Sequence, residues 1–109
     1  MRTIIVTSTR PFTGKSGIAL SLIGMLTEHG ADVGYFKPYG TMPVTEGGVL
    51  TDEDALYINR TLPRPSGLAD VCPVVRSQSF IEETLAGGVV SVADRVTDAF
   101  GRCALGRDV

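Results

Sequence analysis

The first 37 residues contain the arrangement that most constrains the fold of this chain. Residues 3–7 are all β-branched and predict a short buried strand, and residues 8–14 form a loop with a proline and a closing glycine. Residues 15–29 repeat apolar side chains at helical spacing, and residues 33–37 form a second apolar run. Strand, loop, helix and strand in this order predict a βαβ unit with parallel strands and a right-handed crossover.

Short elements alternate along the rest of the chain, with Gly, Pro and Ser at their boundaries. We therefore expect one α/β domain over residues 1–109, an incomplete phosphate-loop nucleotide-binding fold with a short parallel sheet flanked by helices. The predicted elements are a loop at 39–50, a helix at about 51–62, an edge strand at 71–75, helices starting at Ser79 and Ser91, and the beginning of a further strand at 106–109.

The tripeptide Gly14-Lys15-Ser16 lies between the first predicted strand and the first predicted helix, which is the position of a phosphate-binding loop. Free N–H groups and the helix dipole attract an anion there, and a glycine lets the backbone approach it closely. Lys15 is suited to the β- and γ-phosphate oxygens, and the Ser16 hydroxyl to Mg²⁺. The strict motif has glycine where this chain has Thr9, so an ordinary turn with a solvated Lys15 is the alternative.

Lysine is used only twice in this chain, at Lys15 and Lys37, against eight arginines. Lysine is a compact point charge, whereas arginine is a planar fork, so the two are not interchangeable in a tight pocket. Lys37 ends the second predicted strand, and ligands of open parallel sheets bind at the carboxyl ends of strands. Lys37 is therefore predicted to face a γ-phosphate or an anionic substrate group opposite Lys15; the alternative is a solvated lysine at a strand end.

Composition excludes several classes of function. The net charge of −2 argues against nucleic-acid or membrane-surface partners bound by bulk charge. His29 is the only histidine, and Cys72 and Cys103 are isolated, so zinc sites and histidine-based nucleophilic catalysis are disfavoured and both cysteines are expected to be buried apolar residues. No apolar run has the roughly 20 residues of a membrane span, and the first residues do not resemble a signal peptide, so we expect a cytoplasmic protein.

Three stretches resemble the dethiobiotin synthetase family. They are Thr-Ser-Thr-Arg-Pro-Phe-Thr-Gly-Lys-Ser at residues 7–16, Gly-Tyr-Phe-Lys-Pro at 34–38 and Asp-Glu-Asp-Ala-Leu at 52–56. Similar sequences occur in cobyrinic acid a,c-diamide synthase and in the dethiobiotin-synthetase-like N-terminal domain of long phosphate acetyltransferases. In this group the phosphate loop is longer than the strict motif. The resemblance covers most of residues 2–85.

The resemblance implies ATP and Mg²⁺ as cofactors. It implies that Lys15 and Lys37 are the catalytic lysines and that Ser16 and Asp54 are Mg²⁺ ligands, with Asp52 as the alternative ligand. Thr51 and Asp54 also have the spacing of a helix capping box, so a purely structural role for Asp54 stays open. The predicted nucleotide contacts are Thr9, Arg10, Thr13, Gly14, Lys15 and Ser16. Of these, Arg10 lies where a related group of ATPases, and not dethiobiotin synthetases in general, has a second lysine, so a position away from the phosphates stays open for it.

Three functions remain open at this stage. The first is an ATP-dependent ligase or amide synthase that phosphorylates a small carboxylate or carbamate, and the second is a nucleotide-sensing regulatory domain of an acetyl-transfer enzyme. The third is an assembly module whose phosphate loop has decayed. In the relatives an acidic strand follows the segment that residues 107–109 begin. We therefore expect either a truncated domain or a homo-oligomer that completes its sheet with a partner, with no nucleic acid or membrane involved.

Overall fold

The computed structural model describes residues 1–7, 14–87 and 92–109, which form an α/β fold. Strands β1 (Tyr39–Gly40) and β4 (Val74–Val75) pair in parallel, with Tyr39 opposite Val74, and strands β2 (Pro43–Glu46) and β3 (Val49–Asp52) form an antiparallel hairpin. The expected fold class, with a short parallel sheet flanked by helices, is confirmed. In chain order the elements are α1 (Lys15–Glu28), β1 (Tyr39–Gly40), β2 (Pro43–Glu46), β3 (Val49–Asp52), α2 (Glu53–Thr61), α3 (Leu68–Val71), β4 (Val74–Val75), α4 (Gln78–Leu85) and α5 (Val92–Ala104).

The structure differs from the prediction of strands at residues 3–7 and 33–37. Within the described residues neither segment forms a regular strand, and residues 108–109 lie between them. The Arg2 N–H donates to the Asp108 carbonyl oxygen at 2.9 Å, and the Gly34 N–H donates to the Val109 carbonyl oxygen at 2.9 Å. At the other end of residues 33–37, the Lys37 N–H donates to the Val71 carbonyl oxygen at 2.9 Å. These separate hydrogen bonds do not form the continuous ladder of a regular strand.

Four other features differ from the sequence-based prediction. The expected loop at 39–50 contains β1, β2 and the first half of β3, and the expected strand at 71–75 is reduced to β4, which pairs with β1. Helix α4 is capped by Ser77, whose hydroxyl accepts the Phe80 N–H, rather than by Ser79. Helix α2 is capped by Asp52 rather than Thr51. For both helices a polar residue one or two positions away forms the cap.

Helix α2 joins the two apolar clusters of the core. Its residue Ile58 packs in the first cluster and its residue Ala55 in the second, while Tyr35 packs against both. Because α2 packs in both clusters and α1 packs in the first, the first turn of α2 has a fixed position relative to α1. This position determines the geometry of the site described below. The first cluster comprises Ile23, Val33, Ile58 and Leu62, and the second comprises Ala55, Val71, Cys72 and Val75.

Both cysteines are buried free thiols, as the sequence predicts. Burial raises the pKa of Cys72 to about 12, and burial also raises the pKa of Cys103. Neither thiol is therefore a nucleophile at neutral pH. In the part of the chain that the structure describes, no helix has the length and apolar character needed to cross a bilayer.

Candidate functional site

The N-terminus of α1 presents the residues of the predicted phosphate loop. Gly14 precedes the helix with a left-handed backbone (φ 87°), and Lys15 and Ser16 are its first two residues. Within the described residues, the first turn of α1 contains no acidic residue, and no side-chain hydrogen bond caps it, because the N-cap residue is Gly14. A helix start of this kind keeps N–H groups and the positive end of the dipole available to an anion.

Ser16 and Asp54 meet although they are 38 positions apart. The Ser16 hydroxyl donates a hydrogen bond to Asp54 Oδ2 at 3.1 Å, which joins the first turns of α1 and α2. The Asp54 side chain is 38% exposed and lines the adjoining cavity. The structure thus brings together the two residues that the resemblance implies as metal ligands.

Lys37 faces the same pair. Its ammonium nitrogen lies 2.9 Å from Asp52 Oδ2 and 4.0 Å from Asp54 Oδ2, and its side chain is largely covered. Lys15, Ser16, Lys37 and Asp54 all line one cavity of about 980 Å³. The two lysines of the chain therefore border a common space, from the start of α1 and from the segment before β1.

Asp52 holds Lys37 and also caps α2. Its buried carboxylate accepts hydrogen bonds from the Lys37 ammonium, from the Met42 N–H at 3.0 Å and from the Ala55 N–H at 3.2 Å. Burial alone raises the pKa of Asp52, but these three donors outweigh it, and the net pKa lies below its ordinary value. Because its oxygens are engaged and fully buried, Asp52 is not placed as the alternative metal ligand that the resemblance implies. Asp54 is not the capping residue either.

Gly40 makes room for Asp52. A Cβ atom at position 40 would lie 2.5 Å from Asp52 Cβ and 2.8 Å from Asp52 Oδ1, closer than side-chain carbons approach in proteins. Only glycine therefore lets β1 pass beside this carboxylate. Beside it, the Thr51 hydroxyl is fully buried and has no hydrogen-bond partner among the described residues.

Tyr35 lines the same cavity, and its phenol group stays protonated near neutral pH. Burial is the largest cause that raises the pKa of Tyr35 to about 12, and the negative charges of Asp52 and Asp54 add to it. The ring packs against both apolar clusters, so Tyr35 supports the floor of the site rather than acting as a proton donor near neutral pH.

Sequence reasoning missed the polar cluster around Asp32. Asp32 accepts hydrogen bonds from the guanidinium groups of Arg64 at 2.7 Å and Arg107 at 3.2 Å, and the Asp108 carboxylate accepts the Asp32 N–H at 2.8 Å. The Arg64 guanidinium is the main group that holds the pKa of Asp32 below its ordinary value. The cluster fixes residues 107–109 against the segment that leads to Lys37. No local signal could have revealed it, since its members come from distant parts of the chain.

Three of the predicted nucleotide contacts, Thr9, Arg10 and Thr13, lie outside the described residues. Over residues 1–7, 14–87 and 92–109 no group of three or more His, Cys, Asp or Glu side chains is arranged to hold a metal ion by itself. A metal bound by Ser16 and Asp54 would therefore take its other ligands from water and from a bound phosphate, which is usual for Mg²⁺.

A family model described as an AAA domain matches residues 2–87, which include Gly14, Lys15, Ser16, Lys37 and Asp54. No solved structure matches the chain.

Proposed function

The chain belongs to the AAA domain family, and on this basis we propose that it binds ATP with Mg²⁺ in the cavity beside the start of α1. The family match identifies a nucleotide-binding phosphate-loop domain. The choice of ATP and the roles of individual residues are the proposal. The observation that carries it is the convergence of Ser16, Asp54 and Lys37, because a hydroxyl, a carboxylate and an ammonium group within hydrogen-bond or ion-pair distance complement a metal-bound polyphosphate.

The oxygens of Ser16 and Asp54 fit Mg²⁺. This ion takes oxygen ligands at 2.0–2.1 Å in octahedral geometry, which sets adjacent ligand oxygens about 2.9 Å apart. Ser16 Oγ and Asp54 Oδ2 are 3.1 Å apart, so the two side chains need little movement to become adjacent ligands. When bound, the ion neutralises phosphate charge and orients the phosphate chain.

Lys15 and Lys37 supply positive charge from two sides of the cavity. We assign to Lys15 a contact with the β- and γ-phosphate oxygens, because it is the first residue of α1 beside the free N–H groups. Lys37 is held by Asp52, which fixes its ammonium group at the edge of the cavity. A charge fixed in advance stabilises a transferring phosphoryl group or an anionic substrate without reorganisation.

The resemblance to dethiobiotin synthetase extends the proposal to a reaction. An oxygen of a small carboxylate or carbamate attacks the γ-phosphorus, ADP leaves with the electrons of the broken P–O bond, and the acyl phosphate is available to an amine. We assign to Lys37, whose ammonium group lies at the edge of the cavity, the role of holding the anionic carboxylate beside the phosphate.

A regulatory domain that binds nucleotide without turnover is the second candidate. One observation favours it: both carboxylates beside Lys37 are already engaged, Asp52 by three donors and Asp54 by Ser16. Neither is therefore a free general base in this arrangement.

Titration calorimetry with ATP, ADP and GTP, with and without Mg²⁺, tests nucleotide binding. We expect saturable ATP binding that Mg²⁺ strengthens, and absence of binding by all three nucleotides would leave only an assembly module with a decayed loop. A phosphate-release assay in the presence of small carboxylates then separates the ligase, which releases ADP with substrate, from the sensor, which binds ATP without release.

A further inference from the structure

The short segment from Lys37 to Gly40 is fixed at both ends against the segment that contains β4. The Lys37 N–H donates to the Val71 carbonyl oxygen at 2.9 Å, and the Arg76 N–H donates to the Gly40 carbonyl oxygen at 2.7 Å. Between these two hydrogen bonds, β1 pairs in parallel with β4. The side chains of this segment therefore extend from a backbone whose position is set before any ligand binds.

Lys37 and Tyr39 are two positions apart on this segment, and both line the cavity of the candidate site. Two residues of fully extended chain span at most about 7 Å, so both side chains are within reach of one small ligand. A ligand that contacts both would meet a cation and an aromatic ring at the same time.

The Lys37 ammonium group has donors that the protein does not use. An ammonium group has three N–H donors, and among the described residues only Asp52 Oδ2, at 2.9 Å, accepts a hydrogen bond from it. Asp54 Oδ2 lies 4.0 Å away, beyond hydrogen-bond distance. The Lys37 side chain is 26% exposed, so water has limited access to the remaining donors. A carboxylate suits these donors because hydrogen bonds between charged groups are the stronger ones.

The Tyr39 ring is held in place and still partly exposed. It packs against Phe80 of α4, with ring centroids 5.9 Å apart and ring planes at 54° to each other. Phe80 is itself positioned by the cap of α4, because its N–H donates to the Ser77 hydroxyl. Tyr39 nevertheless remains 43% exposed, so part of the ring is available to a ligand in the cavity. Aromatic rings prefer tilted or offset contacts with other rings, at centroid distances of roughly 4.5–7 Å.

We propose that Tyr39 determines the substrate class of this site, which is a small aromatic carboxylate such as benzoate or phenylacetate. The carboxylate accepts hydrogen bonds from the Lys37 ammonium group, and the aryl ring packs against the Tyr39 ring. The short separation of the two residues places the aryl ring within one or two bonds of the carboxyl carbon. This inference rests on the proposed function, in which Lys37 holds the anionic carboxylate beside the phosphate.

Three ligands of similar size separate the two contacts. Benzoate has both the charge and the aromatic ring, cyclohexanecarboxylate has the charge without an aromatic ring, and benzamide has the ring without the charge. Ligand-observed NMR titration of the whole chain at neutral pH measures their dissociation constants. We expect saturable benzoate binding, with cyclohexanecarboxylate about fivefold weaker and benzamide about tenfold weaker. Equal affinities for benzoate and cyclohexanecarboxylate, or no saturable benzoate binding, would overturn the proposal.

The charge is removed from the ligand rather than from the protein. A variant without Lys37 would leave the buried Asp52 carboxylate without its cation, and such a variant is expected to be strongly destabilised. Benzamide tests the same contact in the intact protein. Benzamide binding as tight as benzoate binding would contradict the role of the ammonium group.

Three variants test the aromatic contact. Tyr39→Leu removes the ring and keeps an apolar side chain on β1, whereas Tyr39→Phe keeps the ring and removes only the hydroxyl. Tyr57→Leu makes the matched change on α2, at a residue that is 63% exposed and does not line the cavity. We expect Tyr39→Leu to lose the preference for benzoate over cyclohexanecarboxylate, and the other two variants to retain it. A Tyr39→Leu variant with the preference of the wild type would overturn the assignment.

Calorimetry with Mg²⁺–ATP on the same samples separates this inference from the proposed nucleotide function. Benzoate binding that depends on Tyr39, without ATP binding, would support the aromatic subsite and contradict nucleotide binding. ATP binding without a preference for the aromatic carboxylate would overturn the subsite and leave the nucleotide site in place. Circular dichroism checks that each variant is folded, and the comparison of the three ligands on the wild type does not depend on any variant.

Discussion

Ser16 donates a hydrogen bond from its hydroxyl to Asp54 Oδ2 at 3.1 Å, and this contact joins the first turns of helices α1 and α2. Lys37 lies 4.0 Å from the same oxygen and is anchored by the buried carboxylate of Asp52. The Ser16 hydroxyl, the Asp54 carboxylate and the Lys37 ammonium group therefore line one cavity beside the N-terminus of α1. This arrangement supports a nucleotide-phosphate site. Asp54 contacts Ser16 at that site, whereas Asp52 holds Lys37 and caps α2.

Replacement of Asp54 tests the metal role. Asp54→Asn keeps the shape of the side chain and removes its charge, so we expect ATP affinity in the presence of Mg²⁺ to fall about tenfold, with little change in its absence. Titration calorimetry with and without Mg²⁺ measures both affinities. Glu53→Gln, one position earlier in the first turn of α2, is the matched control and should retain the Mg²⁺ effect. An undiminished Mg²⁺ effect in Asp54→Asn would contradict the assignment.

The contact between Gly40 and Asp52 predicts a stability effect. Gly40→Ala places a Cβ atom 2.5 Å from Asp52 Cβ, so we expect a loss of about 2 kcal/mol in the free energy of unfolding. Gly24→Ala in α1 is the control, because no atom lies within 4 Å of its added methyl group. It should stabilise the protein by about 0.5–1 kcal/mol, as expected in a helix. Urea unfolding measures the free energy of unfolding of both variants. Equal changes in the two variants would contradict the close contact between Gly40 and Asp52.

The lowered pKa of Asp52 predicts acid sensitivity. Since the folded pKa lies below the unfolded value of about 3.9, the unfolded chain binds more protons in this range. The stabilisation by the Asp52 carboxylate is therefore complete above pH 5 and is lost as the pH falls through the folded pKa. We expect Asp52→Asn to cost about 2 kcal/mol at pH 7 and to flatten the fall in stability toward pH 3.

Urea unfolding from pH 7 to pH 3 measures this dependence. Asp94→Asn, an exposed carboxylate in the first turn of α5, serves as the control and should leave the pH profile intact. A wild-type profile that coincides with that of Asp52→Asn over the whole range would be incompatible with the buried ion pair.

The buried thiols predict slow labelling. With the pKa of Cys72 raised to about 12 and that of Cys103 also raised by burial, we expect neither thiol of the native protein to react with a disulfide reagent at pH 8 within minutes. Both should react at once in urea. Rapid labelling of one thiol in the native protein would show that its cluster opens.

The parts of the fold that depend on local sequence were predictable. Helices α1, α2 and α5 follow from apolar spacing and from the residues at their ends. The hairpin of β2 and β3 was missed, although its turn, Gly47-Gly48, is a recognised hairpin signal between two short β-prone runs. The short length of these runs and the prolines around them favoured a loop prediction.

The central pairing was not predictable from local sequence. Residues 3–7 and 33–37 carry strand patterns, but their relative position is decided by residues 108–109 and by Asp32, whose partner Arg107 is 75 positions away. At the site, sequence and resemblance identified Ser16, Lys37 and Asp54. They did not reveal that Asp52 caps α2 and holds Lys37, because Thr51 and Asp52 are adjacent and both are good capping residues.

The central claim, that the start of α1 binds the phosphates of ATP, is tested most directly by Lys15→Ala. We expect its affinity for Mg²⁺–ATP, measured by titration calorimetry, to fall by about 2–3 kcal/mol, the scale of a charge-assisted contact. Arg60→Ala, which removes one positive charge from the far end of α2, is the control and should bind ATP as the wild type does. An unchanged ATP affinity in a Lys15→Ala variant with an intact circular dichroism spectrum would contradict the account.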